Sequence, residues 1–425
     1  MKNKIKILVA LVLISAAAFS QQKIVNTLVV NSKLIKVGAE RTSEYLPLLK
    51  DKNVAIVANQ TSLVKNTHIV DTLLKLGIKI NKVFSPEHGF RGNFDAGESV
   101  TDLKDEKTGI QIISLYGKKT KPTKEDLADI DVVVFDIQDV GVRFYTYLST
   151  LEYTMEACAE NKIKLIVLDR PNPNGYFIDG PVLEKEFSSF LGLHPIPLVY
   201  GMTIAEYAQM LNGEGWLKNN IKCDLTCIKC DGYNHRQLYQ LPVPPSPNLP
   251  NMESVYLYPS IGLFEGTLIS VGRGTDLSFN VIGHPALKEG SFSFTPQSIP
   301  GKSKNPPYEG KKCNGFKLTE FAESYIKNSK QLYLYWLINI YDEFPDKANF
   351  FNSNFNFLAG NSKLKMQLQE GVKKKDIKDH AEDLAKDIKK SWQDYLEKSI
   401  RDSWQDDIKK FKLIRKKYIL YSDFE

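Results

Sequence analysis

The sequence predicts an α/β protein: a mostly parallel sheet with helices on both faces, followed by a smaller C-terminal domain of mixed helix and strand. Three observations carry this. Between residues 50 and 170, short and almost wholly apolar runs alternate with segments of helical spacing. Strands without polar alternation belong to parallel sheets buried on both faces. A chain of 425 residues exceeds what one hydrophobic core ordinarily holds, so two domains are expected. Residues 241–251, LPVPPSPNLPN, carry five prolines in eleven positions, which neither a helix nor a central strand tolerates. That stiff stretch marks the approach to a boundary, so the sheet domain is assigned to 32–252 and the second domain to 253–425.

Along the chain, Asn53 to Ala58 is an apolar strand rich in Val and Ile, and His68 to Leu76 has helical spacing. Ile80 to Phe84 and Ile110 to Leu115 are further strands. Thr123 and Asp126 form a capping-box pattern that opens a predicted helix to Ile130. Val132 to Ile137 is a strand, Phe144 to Asn161 a long helix, and Lys164 to Leu168 another strand. Thr203 and Glu206 form a second capping box and open a helix to Leu211. Tyr256 to Asn280 is rich in Gly and β-formers, and from about Leu364 the chain is helical and heavily charged.

The N-terminus differs in kind. Lys2, Lys4 and Lys6 precede an apolar run from Ile7 to Ala18, and Ala18 and Ser20 are small residues placed for a cut before Gln21. Residues 1–20 therefore read as a signal peptide, too short to span a membrane comfortably, so the expected location is periplasmic or secreted. No later run is long and apolar enough to cross a bilayer. The formal net charge is +6, three units of which are the leader lysines, leaving a mature chain near +3. The remaining lysines are mixed with Asp and Glu, which describes a solvated surface and not a nucleic-acid face.

Several chemistries are excluded. The first strand runs into Asn59-Gln60-Thr61-Ser62 and not a G-x-G-x-x-G turn, so no nicotinamide cofactor is expected. G-x-S-x-G is missing, which argues against an ordinary esterase. Ser62-x-x-Lys65 and Lys107-Thr108-Gly109 match β-lactamase motifs, but they sit inside a βα pattern foreign to that fold. Cys223, Cys227 and Cys230 have a C-x3-C-x2-C spacing; on a strand, Cys223 and Cys227 would lie about 13 Å apart, too far for one cluster. None of the six histidines pairs with another at metal-ligand spacing, so neither a metal nor any other cofactor is expected.

Ligands in open α/β sheets bind beyond the carboxyl ends of the strands. Here those ends carry Asn59-Gln60-Thr61-Ser62, then Ser85-Pro86-Glu87-His88-Gly89, then Asp136 to Arg143, then Asp169-Arg170-Pro171-Asn172-Pro173. Glu87, between Pro86 and Phe90, is the candidate general acid, because shielding from water favours the protonated carboxyl that can protonate a glycosidic oxygen. Its bland alternative is a loop ion pair with Arg91. Asp136, Asp139 and Glu265 are candidates for a second carboxylate, although Asp136 can also cap the next helix and Asp139 can pair with Arg143. Arg143 and Arg273 suit a bidentate clamp on a sugar-borne carboxylate. Tyr145, Tyr147 and Tyr200 suit stacking on sugar faces. His88, Arg91, Asn172 and Asn248 complete the candidate substrate contacts.

These segments resemble the bacterial peptidoglycan exo-β-N-acetylmuramidases. The matching pieces are SPEHGFRG at 85–92, DIQDVGVRFYTY at 136–147, DRPNPNG at 169–175, YGMTIAEYA at 200–208, PPSPNLP at 244–250 and LFEGTLISVGRGTDLSF at 263–279, together spanning about 200 residues. Val271 stands where many members of that family carry Glu, in the segment before G-R-G-T. The resemblance implies a Rossmann-like catalytic domain with a smaller domain beside the cleft. It implies release of N-acetylmuramic acid from the non-reducing end of peptidoglycan-derived muropeptides or disaccharides. The catalytic glutamate of the E-H-G-x-R-G motif maps onto Glu87. Two rivals are a wall-glycan-binding protein without catalysis and an esterase or deacetylase acting on wall sugars.

Overall fold

The structure, a computed structural model, describes residues 35–91, 103–379 and 386–425. The predicted leader at 1–20 and the motif's Gly92 lie outside the described residues.

Seven strands form the main sheet: β1 (Val54–Ala58), β2 (Ile80–Ser85), β3 (Leu103–Lys104), β4 (Gln111–Ser114), β5 (Val132–Asp136), β6 (Lys164–Leu168) and β7 (Leu225–Ile228). Their order is β7-β6-β5-β1-β2-β4-β3. All pairings are parallel except that of β3 with β4. Every residue of β1 and β5 is buried, so both faces at the centre of the sheet are covered. The chain builds outward from β1 through β2 and β4, then returns to the other side with β5, β6 and β7. The order therefore reverses between β1 and β5, and the crevice beyond their carboxyl ends is where ligands bind in such sheets.

The helices show how far local signals reach. Thr203 caps α3 (Ile204–Glu214) reciprocally with Glu206 as predicted, and Gly215 ends it in the left-handed conformation. Before it come α1 (Ile69–Lys75) and α2 (Tyr147–Glu160). The predicted helix at 123–130 is absent. Its capping bonds form, Thr123 N to Asp126 Oδ2 at 2.9 Å and Asp126 N to Thr123 Oγ1 at 3.2 Å. The chain then continues through successive i to i+3 turns that bury Leu127 and Ile130. The long helix predicted from Phe144 begins only at Tyr147, because Val142 bridges Val199 and Arg143 N donates to Leu198 O at 2.8 Å. That cross-chain bridge holds 142–146 as a turn.

Helix α4 (Met252–Ile261) comes after the proline segment, opened by Asn251 capping Ser254 N. It contains Pro259, which cannot bond the carbonyl of Val255. Asn174 Nδ2 donates to that carbonyl at 3.1 Å and to Val140 O at 2.9 Å. The second domain adds a three-stranded antiparallel sheet of β8 (Val281–His284), β9 (Phe292–Phe294) and β10 (Cys313–Lys317), with β10 central. Helices α5 (Tyr335–Glu343), α6 (Phe355–Ala359), α7 (Lys363–Asp379), α8 (Lys386–Asp402) and α9 (Gln405–Arg415) complete it. No helix among the described residues is long and apolar enough to cross a membrane. All five cysteines are free thiols.

The chain end returns to the first domain. Arg415 donates to Gly201 O and pairs with Asp423. The Tyr421 hydroxyl donates to Asp169 Oδ2 at 2.5 Å, and Leu420 N to Glu206 Oε1 at 2.7 Å. One continuous core spans both domains.

Candidate active site

Three strand ends and the second domain converge on one cleft of about 590 Å³, part of it open to solvent. The end of β2 supplies Glu87. Gly89 N closes a turn onto Pro86 O at 3.1 Å, with His88 at φ 70°. Such a turn needs a positive φ at its third residue, a conformation histidine adopts more readily than β-branched residues do. The turn lifts Glu87 out of the strand, half-buried at the cleft wall, while His88 Nε2 meets Ser246 Oγ of the proline segment at 3.2 Å.

The segment after β5 supplies the adjoining wall. Asp139 turns inward: its Oδ2 accepts Gly141 N at 2.6 Å and the hydroxyl of Tyr200. Gly141 is obligatory, with φ 78° and an added Cβ falling 2.2 Å from Asn172 Oδ1. The 142–146 turn then presents Tyr145 and Thr146 to the cleft. The Tyr145 hydroxyl donates to Pro245 O at 2.9 Å, and Thr146 Oγ1 donates to Glu87 Oε2 at 2.9 Å. Behind them, Asn59 Nδ2 donates to the Tyr147 hydroxyl at 2.9 Å. The end of β4 adds Tyr116, whose hydroxyl bonds Glu87.

The second domain contributes Tyr258, Glu265, Arg273, Phe279 and Leu358. Arg273 Nε donates to Glu265 Oε1 at 2.8 Å, and Nη2 lies equally close. The guanidinium also sits 5.2 Å from the centre of the Phe279 ring. Burial alone would lower its pKa, but the Glu265 charge outweighs this and holds it above the ordinary arginine value. Arg273 Nη1 has no hydrogen-bond partner among the described residues. Glycines 272 and 274, both at φ 80°, frame this arginine on a tight loop.

The predicted residues therefore divide. Glu87, His88, Tyr145, Asn248, Glu265 and Arg273 line the cleft. Asn248 is committed to the loops around it, donating to Lys302 O at 2.8 Å and accepting from Ser278. The others are placed elsewhere. Arg91 pairs with Asp105, not with Glu87, at 2.9 Å, and that guanidinium holds the Asp105 carboxyl below its ordinary range against the effect of burial. Asp136 is wholly buried and forms a two-pronged ion pair with Arg170, at 2.7 and 2.9 Å. Asp139 and Tyr200 bond each other behind the wall, and burial pushes the Asp139 carboxyl up to about 6.

Arg143 is the clearest departure from expectation. Instead of meeting a carboxylate, it donates to the carbonyls of Pro181, Ile196 and Leu358, and burial lowers its pKa to about 9. Asn172 is likewise internal, donating to Met202 O at 2.8 Å and accepting from Asn174 N. Buried polar groups must find partners, and these motif residues find theirs inside the protein. Residues missed in the sequence are Tyr116, Thr146 and Tyr258. Tyr116 sits just past a strand end like the chosen candidates, so the same positional rule pointed to it.

Comparison with known proteins agrees along most of the chain. Residues 54–253 match the model of the N-terminal part of the exo-β-N-acetylmuramidase NamZ, and residues 256–397 match its C-terminal part. The chain is 40% identical over 373 residues to the peptidoglycan β-N-acetylmuramidase NamZ of Bacillus subtilis (strain 168), covering 83% of this chain and 88% of that protein. Two crystal structures of DUF1343 family proteins from Bacteroides fragilis are similar. One has a TM-score of 0.78 at 42% identity, covering 92% of this chain and 99% of the other. The second has a TM-score of 0.73 at 28% identity, covering 91% and 99%.

Proposed function

The chain belongs to the exo-β-N-acetylmuramidase NamZ family, and from that premise we propose that it releases N-acetylmuramic acid from the non-reducing end of peptidoglycan fragments, with Glu87 as general acid. It is a glycoside hydrolase, like the Bacillus subtilis relative. The observation that carries the finer reading is the pair Glu87 and Glu265, two carboxylates from different domains lining one cleft. Glycoside hydrolysis ordinarily uses two carboxyl groups on either side of the scissile bond.

Glu87 has hydroxyl donors as its described partners, and Glu265 has a guanidinium. That asymmetry supports different duties. Glu87 protonates the leaving oxygen. Glu265, ion-paired with Arg273, faces the positive charge that develops at the sugar carbon, as nucleophile or as base toward a water. Arg273, which lines the cleft, is the guanidinium suited to the lactyl carboxylate of muramic acid. Tyr145 and Tyr258 supply apolar faces for the sugar ring. The inward-turned Asp139 supports Glu265 over Asp139 as the second group.

The test is hydrolysis of the β-1,4-linked disaccharide of N-acetylmuramic acid and N-acetylglucosamine, whose sugar alcohol leaving group needs a proton, by the wild type, Glu87→Gln and Glu265→Gln. Each variant should lose roughly 10²–10⁴-fold in kcat. Wild-type rates in a folded Glu87→Gln protein would remove it from the acid role. The basic and then apolar leader supports an exported enzyme; N-terminal sequencing of the secreted chain should begin at Gln21.

A further inference from the structure

We infer that Thr146 and Tyr116 are positioning residues for Glu87, and that their hydroxyls stabilise the carboxylate which Glu87 becomes as it gives up its proton; this rests on the acid role proposed above.

The geometry at Thr146 is the first ground. Thr146 is the N-cap of α2, where a threonine hydroxyl ordinarily accepts a backbone N–H of the first turn. The N-caps Thr203 and Asn251 do this in α3 and α4. Thr146 makes no capping bond. The 142–146 turn leaves its backbone at φ −64° and ψ −7°, helical and not extended. The hydroxyl is directed to Glu87 Oε2 at 2.9 Å instead. The hydroxyl therefore accepts no helix N–H, and its O–H is committed to a carboxyl group from another strand end.

Tyr116 is the second ground. It leaves the end of β4, the strand beside β2, and its hydroxyl bonds the same carboxyl group. Burial first, and the neighbouring Glu87 charge second, push the Tyr116 phenol above its ordinary range, so it remains a donor. The carboxyl group also lies at the N-terminal end of the fourteen-residue α2, where the aligned peptide dipoles favour negative charge.

The chemistry is set by where charge develops. As the bond from the sugar carbon to oxygen breaks, its electron pair goes to the oxygen, which takes the proton from Glu87. Negative charge then grows on Glu87, and donors already aimed at it lower the barrier without reorganising. Their value depends on how much proton transfer the leaving group requires. A sugar alcohol leaving group needs it; a nitrophenolate needs little.

The experiment uses the full chain and two substrates, the β-1,4-linked disaccharide of N-acetylmuramic acid and N-acetylglucosamine, and 4-nitrophenyl β-N-acetylmuramide. Thr146→Val and Tyr116→Phe should each lower kcat on the disaccharide by roughly 10- to 100-fold with KM little changed, and lose much less on the aryl substrate. Thr146→Ser should restore the disaccharide rate. Thr146→Val loses one hydrogen bond to Glu87 and no capping bond, so it should remain folded at the assay temperature, as circular dichroism would show. Equal losses on both substrates, or wild-type disaccharide turnover in both Val and Phe variants, would overturn the inference. Glu87→Gln separates the two levels: if it too turns over the disaccharide normally, the acid role beneath the inference fails; if it is impaired while Thr146→Val is not, only the positioning role fails.

Discussion

Replacing Asp139 with asparagine separates a buried structural acid from a catalytic one. Asp139 is 4% exposed and accepts Gly141 N at 2.6 Å and the Tyr200 hydroxyl on one oxygen. Its other oxygen, Oδ1, has no hydrogen-bond partner among the described residues. Burial pushes its pKa up to about 6, from the ordinary 3.8. The native chain therefore holds a proton between pH 4 and 6 that the unfolded chain releases. The stability this contributes is fully present below about pH 4 and is lost as pH rises through 6. A shift of about two units corresponds to roughly 3 kcal/mol.

Asparagine presents one carbonyl oxygen for the two existing bonds and places its amide where Oδ1 has no partner. The buried amide costs about 1–3 kcal/mol, but equally at every pH. The diagnostic is therefore the slope. Urea unfolding from pH 4 to 8 should show Asp139→Asn gaining about 3 kcal/mol relative to wild type as pH rises. Asp169, which burial pushes up to about 7, titrates in both proteins and cancels in the difference. Because Asp139 does not line the cleft, kcat should stay within about threefold of wild type, far from the loss expected of an acid–base group. Parallel stability curves would refute the burial argument. A loss of about 10²-fold or more in a stable variant would return Asp139 to the second catalytic position.

Arg143→Met removes the donors to three buried carbonyls, one of them in the second domain, and should destabilise the protein by about 3–5 kcal/mol in urea unfolding. It should also raise KM or lower kcat, since Leu358 and the 142–146 turn both border the cleft. Tyr421→Phe deletes the hydroxyl that donates to Asp169 and should cost about 1.5–3 kcal/mol. Its effect should be largest above about pH 7, where Asp169 is charged, and should shrink at pH 5, as measured by urea unfolding at the two pH values.

The strands were legible because their signal is local. Four or five consecutive apolar residues, such as VVVF or VAIVA, can be buried on both sides only in a covered parallel sheet, whatever lies elsewhere in the chain. The capping box at Thr203 and Glu206 was legible for the same reason, since both partners lie three residues apart. The same pattern at Thr123 and Asp126 formed its bonds without a helix, because packing of Leu127 and Ile130 decides the path of the chain beyond the cap.

The sequence by itself determined the sheet, the rim of strand ends and the place of Glu87 on that rim. Tertiary structure alone decided which rim side chains face the cleft. Asp169 is drawn inward by Tyr421, 252 residues away, Asp136 by Arg170, and Arg143 by carbonyls as distant as Leu358. A polar residue at a strand end is equally suited to a ligand or to an interior partner. Which it meets depends on segments that arrive from the far end of the chain, and a buried charge or hydrogen-bonding group accepts the partner that folding brings to it.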